Sequence, residues 1–290
     1  METFLQAVLG GLTAGSIYAL VAIGVSLILK VSRVLNLAQG EFLAVGALLA
    51  FSVVTVAHQP LWLACLAAIL VVTVVGLVFE RLAIRPARSQ TMTVLLVITL
   101  GTSILLRGLA LVIWGSEPMS LPAFSGTDPL LFWNLAILPQ ALWVLSGIVL
   151  VAVGLWYFFE RTLLGKAMLA AAENRAAAEM IGINVIATSR LAFGLSAAVA
   201  ALAGVLVGPI TFLSYDGGTM IGLKGFVAAT IGRMGNITGA IAGGLFLGVL
   251  EALIAGYFSS LFKDVTAFIV LIVVLVFRAG LDKRTTLTQA

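Results

Sequence analysis

The residue types that most often do chemistry in enzymes are scarce in this 290-residue sequence. His58 is the only histidine and Cys65 the only cysteine, so the chain can form neither a histidine cluster for a metal ion nor an internal disulfide. No phosphate loop of the form G-x-x-x-x-G-K-[ST] occurs in it. We therefore expect a protein that is not an enzyme, holds no metal or cofactor, and cannot hydrolyse ATP alone.

Charged side chains inside apolar stretches form a second group of candidates. Arg107 and Glu251 lie deep within apolar runs. Because a charge in lipid is costly, each should face the bundle, water or an opposite charge, and a pair between the two would meet that requirement. Lys224 lies in a short apolar segment and is expected to reach the outer surface, with Asp216 as its neighbour.

Three polar residues, Asn36, Gln39 and Glu41, follow the first apolar run closely. Two interpretations are equally open. One is a capped turn on the cytoplasmic side, in which Asn36 or Gln39 starts the next helix. The other is a role in gating a path through the membrane, because polar groups at membrane depth usually face a pathway or a partner helix.

The composition indicates which elements must position these residues. Hydrophobic residues make up 62% of the chain and charged residues 10%, with a mean hydropathy of +1.20. A soluble domain carries about 25% charged residues, so this chain is expected to lie in a membrane. The net charge of +4 does not indicate nucleic acid as a partner, because the basic residues lie in short loops between apolar runs.

Nine apolar runs predict an all-α, polytopic transmembrane bundle with about eight or nine membrane segments. The runs are Thr3 to Leu29, Phe42 to Ala57, Leu61 to Phe79, Met92 to Trp114, Ile137 to Phe159, Leu191 to Leu213, Met220 to Ile231, Ile237 to Phe262 and Val265 to Phe277. The first run is too long for a signal-peptide core and should remain in the mature protein. Met220 to Ile231 and Val265 to Phe277 are shorter than a full span, so we expect tilted, re-entrant or discontinuous helices there.

The distribution of basic residues orients these runs. If the runs cross the membrane alternately, 13 of the 16 lysines and arginines fall on one side. They are Lys30, Arg33, Arg81, Arg85, Arg88, Arg161, Lys166, Arg175, Arg190, Arg233, Arg278, Lys283 and Arg284. Basic loops are cytoplasmic as a rule, so the N-terminus is predicted outside and the C-terminus in the cytoplasm. Residues 1–290 then form one transmembrane domain with a cytoplasmic loop at residues 160–190.

That loop contains an alanine-rich stretch from Met168 to Gly182, which predicts one short helix with Gly182 as its stop. Arg175 and Glu179 are one turn apart and should pair weakly. An apolar stripe on this helix would consist of Leu169, Ala172, Ala176, Met180 and Ile183. Its polar residues are acidic as often as basic, which favours docking to a cytoplasmic protein over lying on anionic lipid.

Glycines spaced four residues apart predict close helix packing rather than chemistry. Such pairs are Gly11 and Gly15, Gly239 and Gly243, and Gly244 and Gly248.

Four pieces of the sequence, in order, resemble the LivH-type branched-chain amino acid permeases. The first comprises Gly15-Ser16-Ile17-Tyr18-Ala19-Leu20-Val21-Ala22-Ile23-Gly24 and Asn36-Leu37-Ala38-Gln39-Gly40-Glu41-Phe42; the second comprises Ala172-Glu173-Asn174-Arg175 and Ala178-Glu179-Met180-Ile181-Gly182-Ile183-Asn184. The third is Ala192-Phe193-Gly194-Leu195-Ser196-Ala197-Ala198 with Ala203-Gly204; the fourth comprises Lys224-Gly225-Phe226-Val227-Ala228, Gly239-Ala240, and Gly243-Gly244 to Gly248-Val249-Leu250-Glu251. The chain departs from that family at Gly232-Arg233, where two glycines are common.

The resemblance implies one permease subunit of a binding-protein-dependent ABC importer in the bacterial inner membrane. The implied partners are a second, LivM-like permease, two cytoplasmic ATPases that bind ATP and Mg, a periplasmic solute-binding protein, the small-molecule substrate and membrane lipid. The residues implied to couple to the ATPases are Glu173, Asn174, Arg175, Glu179 and Gly182. The candidates for the pathway or its gate are Tyr18, Asn36, Gln39, Glu41, Arg107 and Glu251.

The substrate implied by the resemblance is leucine, isoleucine or valine, with selection residing in the binding protein. The same architecture also serves urea, short amides and aromatic acids. An ion-coupled secondary carrier, which would work alone, is the other class of transporter that the sequence allows.

Overall fold

The computed structural model describes residues 2–87, 91–132, 135–260 and 262–287. Eleven α-helices lie in this part of the chain. They are α1 Glu2–Ser32, α2 Gln39–Thr55, α3 Leu61–Phe79, α4 Met92–Trp114, α5 Pro139–Arg161, α6 Leu163–Glu173, α7 Arg175–Met180, α8 Val185–Val207, α9 Gly217–Ile231, α10 Ile237–Tyr257 and α11 Phe262–Leu287. A π-helical turn, Glu80–Ile84, continues α3. The predicted all-α bundle is therefore confirmed.

Each of the nine predicted apolar runs corresponds to one helix. Among the residues that the structure describes, six helices are long and apolar enough to cross a membrane: α1, α3 with its π-helical turn, α4, α5, α8 and α10. Helices α2 and α9 are apolar but shorter, at 17 and 15 residues, and each is unbroken. Helix α11 continues beyond the last predicted apolar run, from Phe277 to Leu287. Arg88 lies outside the described residues.

The outer loop before α5 contains a small β-hairpin that the sequence reasoning did not anticipate. Strand β1, Leu130–Phe132, pairs antiparallel with β2, Leu135–Ile137, in the register Leu130 to Ile137. Its carbonyl at Ala136 accepts a hydrogen bond of 2.7 Å from the side-chain amide of Gln6, which attaches the hairpin to the start of α1.

Helices α1 and α8 form the centre of the bundle. Both are mostly buried, whereas α3 and α4 expose most of their residues. Small residues let helices pack closely in a membrane, and α1 buries several of them, among them Gly11, Gly15 and Ala19, which agrees with its central position. The exposed residues of α3 and α4 are themselves apolar, such as Leu70 and Ile104, as expected of surfaces that face lipid.

Glycines allow α10 to approach two neighbours at once. A Cβ atom on Gly244 would lie 2.5 Å from the Cα atom of Ala19 in α1, and one on Gly15 would lie 2.8 Å from the carbonyl oxygen of Gly244. On another side of α10, a Cβ atom on Gly239 would collide with the backbone of Gly232 beyond α9. The predicted packing role of these glycines is confirmed.

Contacts between loops place the helix ends on two opposite sides, as alternate crossing requires. On one side Met119 bridges Leu213, joining the loops that follow α4 and α8. On the other side the guanidinium of Arg190, near the start of α8, lies 3.5 Å from the carboxylate of Glu80 at the end of α3. Which side faces the cytoplasm stays a prediction from the basic residues.

Candidate translocation site and coupling segment

A cluster of polar side chains around Glu41 joins three helices inside the bundle. One carboxylate oxygen of Glu41, in the first turn of α2, accepts hydrogen bonds from Thr219 of α9 at 2.8 Å and from Ser103 of α4 at 3.1 Å. The guanidinium of Arg107, also in α4, lies 3.2 Å from the same oxygen. The Glu41 side chain is 2% exposed and that of Arg107 33%, so the carboxylate is the buried member of this ion pair.

A second group of hydrogen bonds fixes the start of α2. The side-chain oxygen of Gln39 accepts from the hydroxyl of Ser196 at 2.9 Å, and its amide donates to the carbonyl of Ser196 at 3.1 Å. The amide of Asn36 donates to Gln39 at 3.3 Å, while its oxygen accepts from the backbone N–H of Ala38 at 3.1 Å. Asn36 and Gln39 are both buried. These polar groups are therefore satisfied within the protein, as burial demands.

These contacts place the start of α2 within the bundle rather than in a loop at its surface. Ser196 lies midway along α8, and a Cβ atom on Gly24, in the interior of α1, would collide with the amide of Gln39. The non-helical residues 34–38 that lead into α2 are buried except for residue 37. Gln39 is the first residue of α2, as one interpretation held, but the residue before it, Ala38, provides no side-chain cap.

The short helices α2 and α9 meet at their N-terminal ends. A Cβ atom on Gly40 would collide with the carbonyl oxygen of Gly218, and the reverse also holds. The hydrogen bond from Thr219 to Glu41 lies at this crossing. A carboxylate beside a helix N-terminus is favoured by the helix dipole, so Glu41 stabilises the start of α9 as well as its own first turn.

A second buried ionic cluster joins α1, α9, α10 and α11. The ammonium of Lys224 lies 3.1 Å from both carboxylate oxygens of Glu251 and 2.7 Å from the carboxylate of Asp264. Tyr18 donates its hydroxyl to Glu251 at 2.9 Å. Lys224 and Glu251 are buried, whereas the side chain of Asp264 is 57% exposed.

Two predicted pairings are thus wrong. Arg107 pairs with Glu41 rather than with Glu251, which has Lys224 as its partner. Lys224 does not reach the outer surface beside Asp216, because its ammonium is buried between two carboxylates. Asp216 instead accepts a hydrogen bond from Ser214.

Sequence reasoning missed three members of these clusters. Ser103 and Thr219 carry no signal in a single sequence, since hydroxyl side chains are common in membrane helices. Asp264 did carry a signal, because an acidic residue beside a short apolar run is expected to have a partner of opposite charge. That partner is Lys224.

The loop at residues 160–190 forms two helices instead of the predicted one. Helix α6 ends at Glu173, and the side chain of Asn174 caps α7 by accepting a hydrogen bond of 3.0 Å from the N–H of Ala177. Arg175 and Glu179 form the predicted pair, at 3.7 Å. Gly182 ends this segment with a φ of +86°, which confirms its predicted role as a stop.

The predicted apolar stripe is wrong because the break at Asn174 changes the direction of the helix axis. The residues of this loop that pack inward are Met168, Ala171 and Ala178, whereas Met180 and Ile181 are 82% and 75% exposed. We call residues 173–182 the coupling segment. Immediately before this segment, the guanidinium of Arg33, which follows α1, donates to the carbonyl of Ala172 in α6 at 3.3 Å.

A cavity of about 480 Å³ lies between α1, α5, α9 and the hairpin. Its walls are mainly apolar, with Leu9, Ile17 and Leu142 among them. Two lysines, Lys224 and Lys263, also line it. In the described part of the chain, no group of three or more histidine, cysteine, aspartate or glutamate residues is placed to hold a metal ion.

The family described as branched-chain amino acid transport system / permease component matches residues 7–275. The chain belongs to this family.

Individual members of the permease family match over most of their length. The chain is 33% identical over 287 residues to the high-affinity branched-chain amino acid transport system permease protein LivH of Salmonella typhimurium, covering 94% of this chain and 92% of the relative. It is 35% identical over 290 residues to BraD of Pseudomonas aeruginosa, covering 95% and 94%. The ribose import permease protein RbsC of Escherichia coli is 28% identical over 246 residues, covering 81% and 74%.

Family membership and the six apolar helices together identify a multi-pass protein of the bacterial inner membrane. The family match confirms the resemblance noted in the sequence, and it covers nearly the whole chain.

Proposed function

We propose that this chain is the transmembrane permease subunit of a binding-protein-dependent ABC importer that moves leucine, isoleucine or valine into the cytoplasm. Its partners are a second, LivM-like permease, two cytoplasmic ATPases and a periplasmic solute-binding protein. ATP and Mg are bound by the ATPases and none by this chain, which acts as a transport subunit rather than an enzyme. Family membership supports the permease role.

The observation that carries the coupling role is the exposed character of the coupling segment. Glu173 and Arg175 are exposed, and the same short segment also exposes the apolar side chains of Met180 and Ile181. An apolar centre with a charged rim is typical of a surface that docks on another protein. Residues 173–182 therefore present what a groove on a cytoplasmic ATPase would bind, with Glu173, Asn174, Arg175, Glu179 and Gly182 at the contact.

The pathway and its gate are assigned to the two buried clusters. Glu41 and Arg107 join α2, α4 and α9, while Tyr18 and Glu251 join α1 and α10 through Lys224. Each cluster links helices that must separate if the bundle opens, so breaking and reforming these pairs would accompany the change between outward-open and inward-open states. Asn36 and Gln39 would hold the start of α2 during that change.

The experiment is transport by the complete importer in proteoliposomes, with Glu173→Lys and Glu179→Lys variants. We expect both to continue ATP hydrolysis and to lose uptake of labelled leucine, because charge reversal disturbs the contact that conveys closure of the ATPases. Glu117→Lys, an exposed charge reversal in the loop before α5 at the opposite end of the bundle, is the matched control and should transport normally.

Two results would overturn the proposal. Wild-type uptake in both coupling-segment variants would remove these residues from the contact. Leucine uptake by this chain alone, driven by a proton or sodium gradient, would identify a secondary carrier instead. Parallel assays with urea, a short amide, an aromatic acid and ribose decide the substrate, the last because of the similarity to RbsC.

A further inference from the structure

We propose that the 480 Å³ cavity is a substrate subsite that takes a small carboxylate with an apolar body, with the carboxylate held at Lys263 and Lys224. The inference rests on the proposed transport function for its choice of leucine as the ligand. The cavity itself, and its charge, are independent of that function.

The size and walls of the cavity suit a small amphipathic molecule. Sites for small ligands usually measure about 300–1,000 Å³ and combine apolar walls with a few polar groups that fix orientation. Here Leu9 and Ile17 of α1 and Leu142 of α5 supply the apolar wall. Tyr18 and Lys224 lie at one part of the lining, where α1 and α9 meet. An apolar side chain and a charged head group would therefore have separate places.

The charge of the lining indicates that the ligand group next to the two lysines is a carboxylate. Both charged residues among the described lining residues are lysines, and none of the lining residues is acidic. Lys263 has no carboxylate within 4 Å among the residues that the structure describes. Lys263 is an exposed residue on the lining, so its ammonium can turn toward an anion that enters the cavity.

Lys224 can contribute without losing its buried partner. Its ammonium lies 3.1 Å from Glu251, which is buried, and 2.7 Å from Asp264, whose side chain is 57% exposed. Asp264 is the exposed member of this pair, so water can solvate its carboxylate when it leaves Lys224. A ligand carboxylate can therefore replace Asp264 at Lys224, while the Glu251 contact keeps the lysine in position.

The test measures the charge of the cavity by the rate at which a cysteine in its wall reacts. Thr13→Cys lines the cavity, and Cys65→Ser removes the native thiol. We expect an anionic methanethiosulfonate to modify Thr13→Cys at least about tenfold faster than a cationic one, after normalisation to their rates with free cysteine. Adding Lys263→Met should bring this ratio close to one. Leucine in excess should slow the reaction.

Leu150→Cys is the matched control, because Leu150 lies on α5 outside the cavity and is 68% exposed. Neither charged reagent should modify it at the rate of Thr13→Cys. All measurements use the assembled importer, so a variant that fails to assemble is seen before labelling. Leu142→Trp, which fills the cavity, should abolish leucine uptake while the loaded binding protein still stimulates ATP hydrolysis.

The outcomes separate this inference from the proposed function. A normalised ratio near or below one, or a ratio that Lys263→Met leaves unchanged, overturns the carboxylate subsite even if the wild type transports leucine. If leucine does not slow the modification of Thr13→Cys in an importer that transports leucine, the carboxylate subsite is also overturned. That result would indicate a lipid tail in the cavity. If the wild type takes up no leucine but the ratio holds, the proposed substrate fails, and protection by an aromatic acid then decides whether the carboxylate subsite stands.

Discussion

The ion pair between Glu41 and Arg107 should stabilise the bundle measurably, and a double-mutant cycle with Glu41→Gln and Arg107→Met tests this. Glu41 accepts three hydrogen bonds on one oxygen, at 2.8, 3.1 and 3.2 Å. A hydrogen bond to a charged group contributes about 1.5–3 kcal/mol when buried. Because the Arg107 side chain is 33% exposed, we expect the lower end, a coupling of about 1.5 kcal/mol.

The assay is equilibrium unfolding of the purified chain in mixed micelles with a rising fraction of denaturing detergent. Each single change should lower the free energy of unfolding by about 2 kcal/mol, and the double change by less than the sum. The control cycle uses Arg175→Met and Glu179→Gln, whose side chains are 53% and 58% exposed, so its coupling should stay below about 0.5 kcal/mol. A Glu41–Arg107 coupling no larger than that of the control would refute the reasoning.

The backbone geometry also predicts the effects of two substitutions on stability. Gly244→Val should lower the free energy of unfolding by about 3 kcal/mol or more, because its Cβ atom would lie 2.5 Å from backbone atoms of Ala19. Gly154→Val is the control: a Cβ atom there meets nothing within 4 Å, so this change should alter the free energy of unfolding little. Arg233→Gly should raise it by about 1 kcal/mol, since Arg233 has a φ of +63°; a decrease would show that the arginine side chain contributes more than its strained backbone costs.

The helices were predictable because each is an apolar run, and apolar length is visible in the sequence. Every predicted run contains a helix, and α9 was expected to be atypical because its run is shorter than a full span, whereas the shortness of α2 was not recognised. The glycine spacing also sufficed to predict close packing on α10, because a missing Cβ has one physical use at a helix interface. The hairpin was not predictable, since three-residue strands carry no recognisable pattern.

The ion pairs could not be predicted, for a different reason. The sequence indicates how deep Arg107, Lys224 and Glu251 lie along their own helices, but not which helices are neighbours. Contacts between α2 and α4, or between α9 and α10, are formed by residues 27 to 66 positions apart in the chain. Only the packing of the whole bundle determines them. The break at Asn174 was missed because the alanine-rich flanks favour helix on both sides and hid a capping residue between them.

The position of Arg33 suggests how movement of the coupling segment reaches the Glu41 cluster. Arg33 contacts the carbonyl of Ala172 at the end of α6, and only residues 34–40 separate it from Glu41 along the chain. Most of these residues are buried and non-helical, so they can change direction without breaking a ladder of helical hydrogen bonds. A displacement of α6 would therefore act first on the start of α2, and through Glu41 on its partners in α4 and α9. Long helices such as α1 would resist the same displacement, because bending them costs backbone hydrogen bonds along their length.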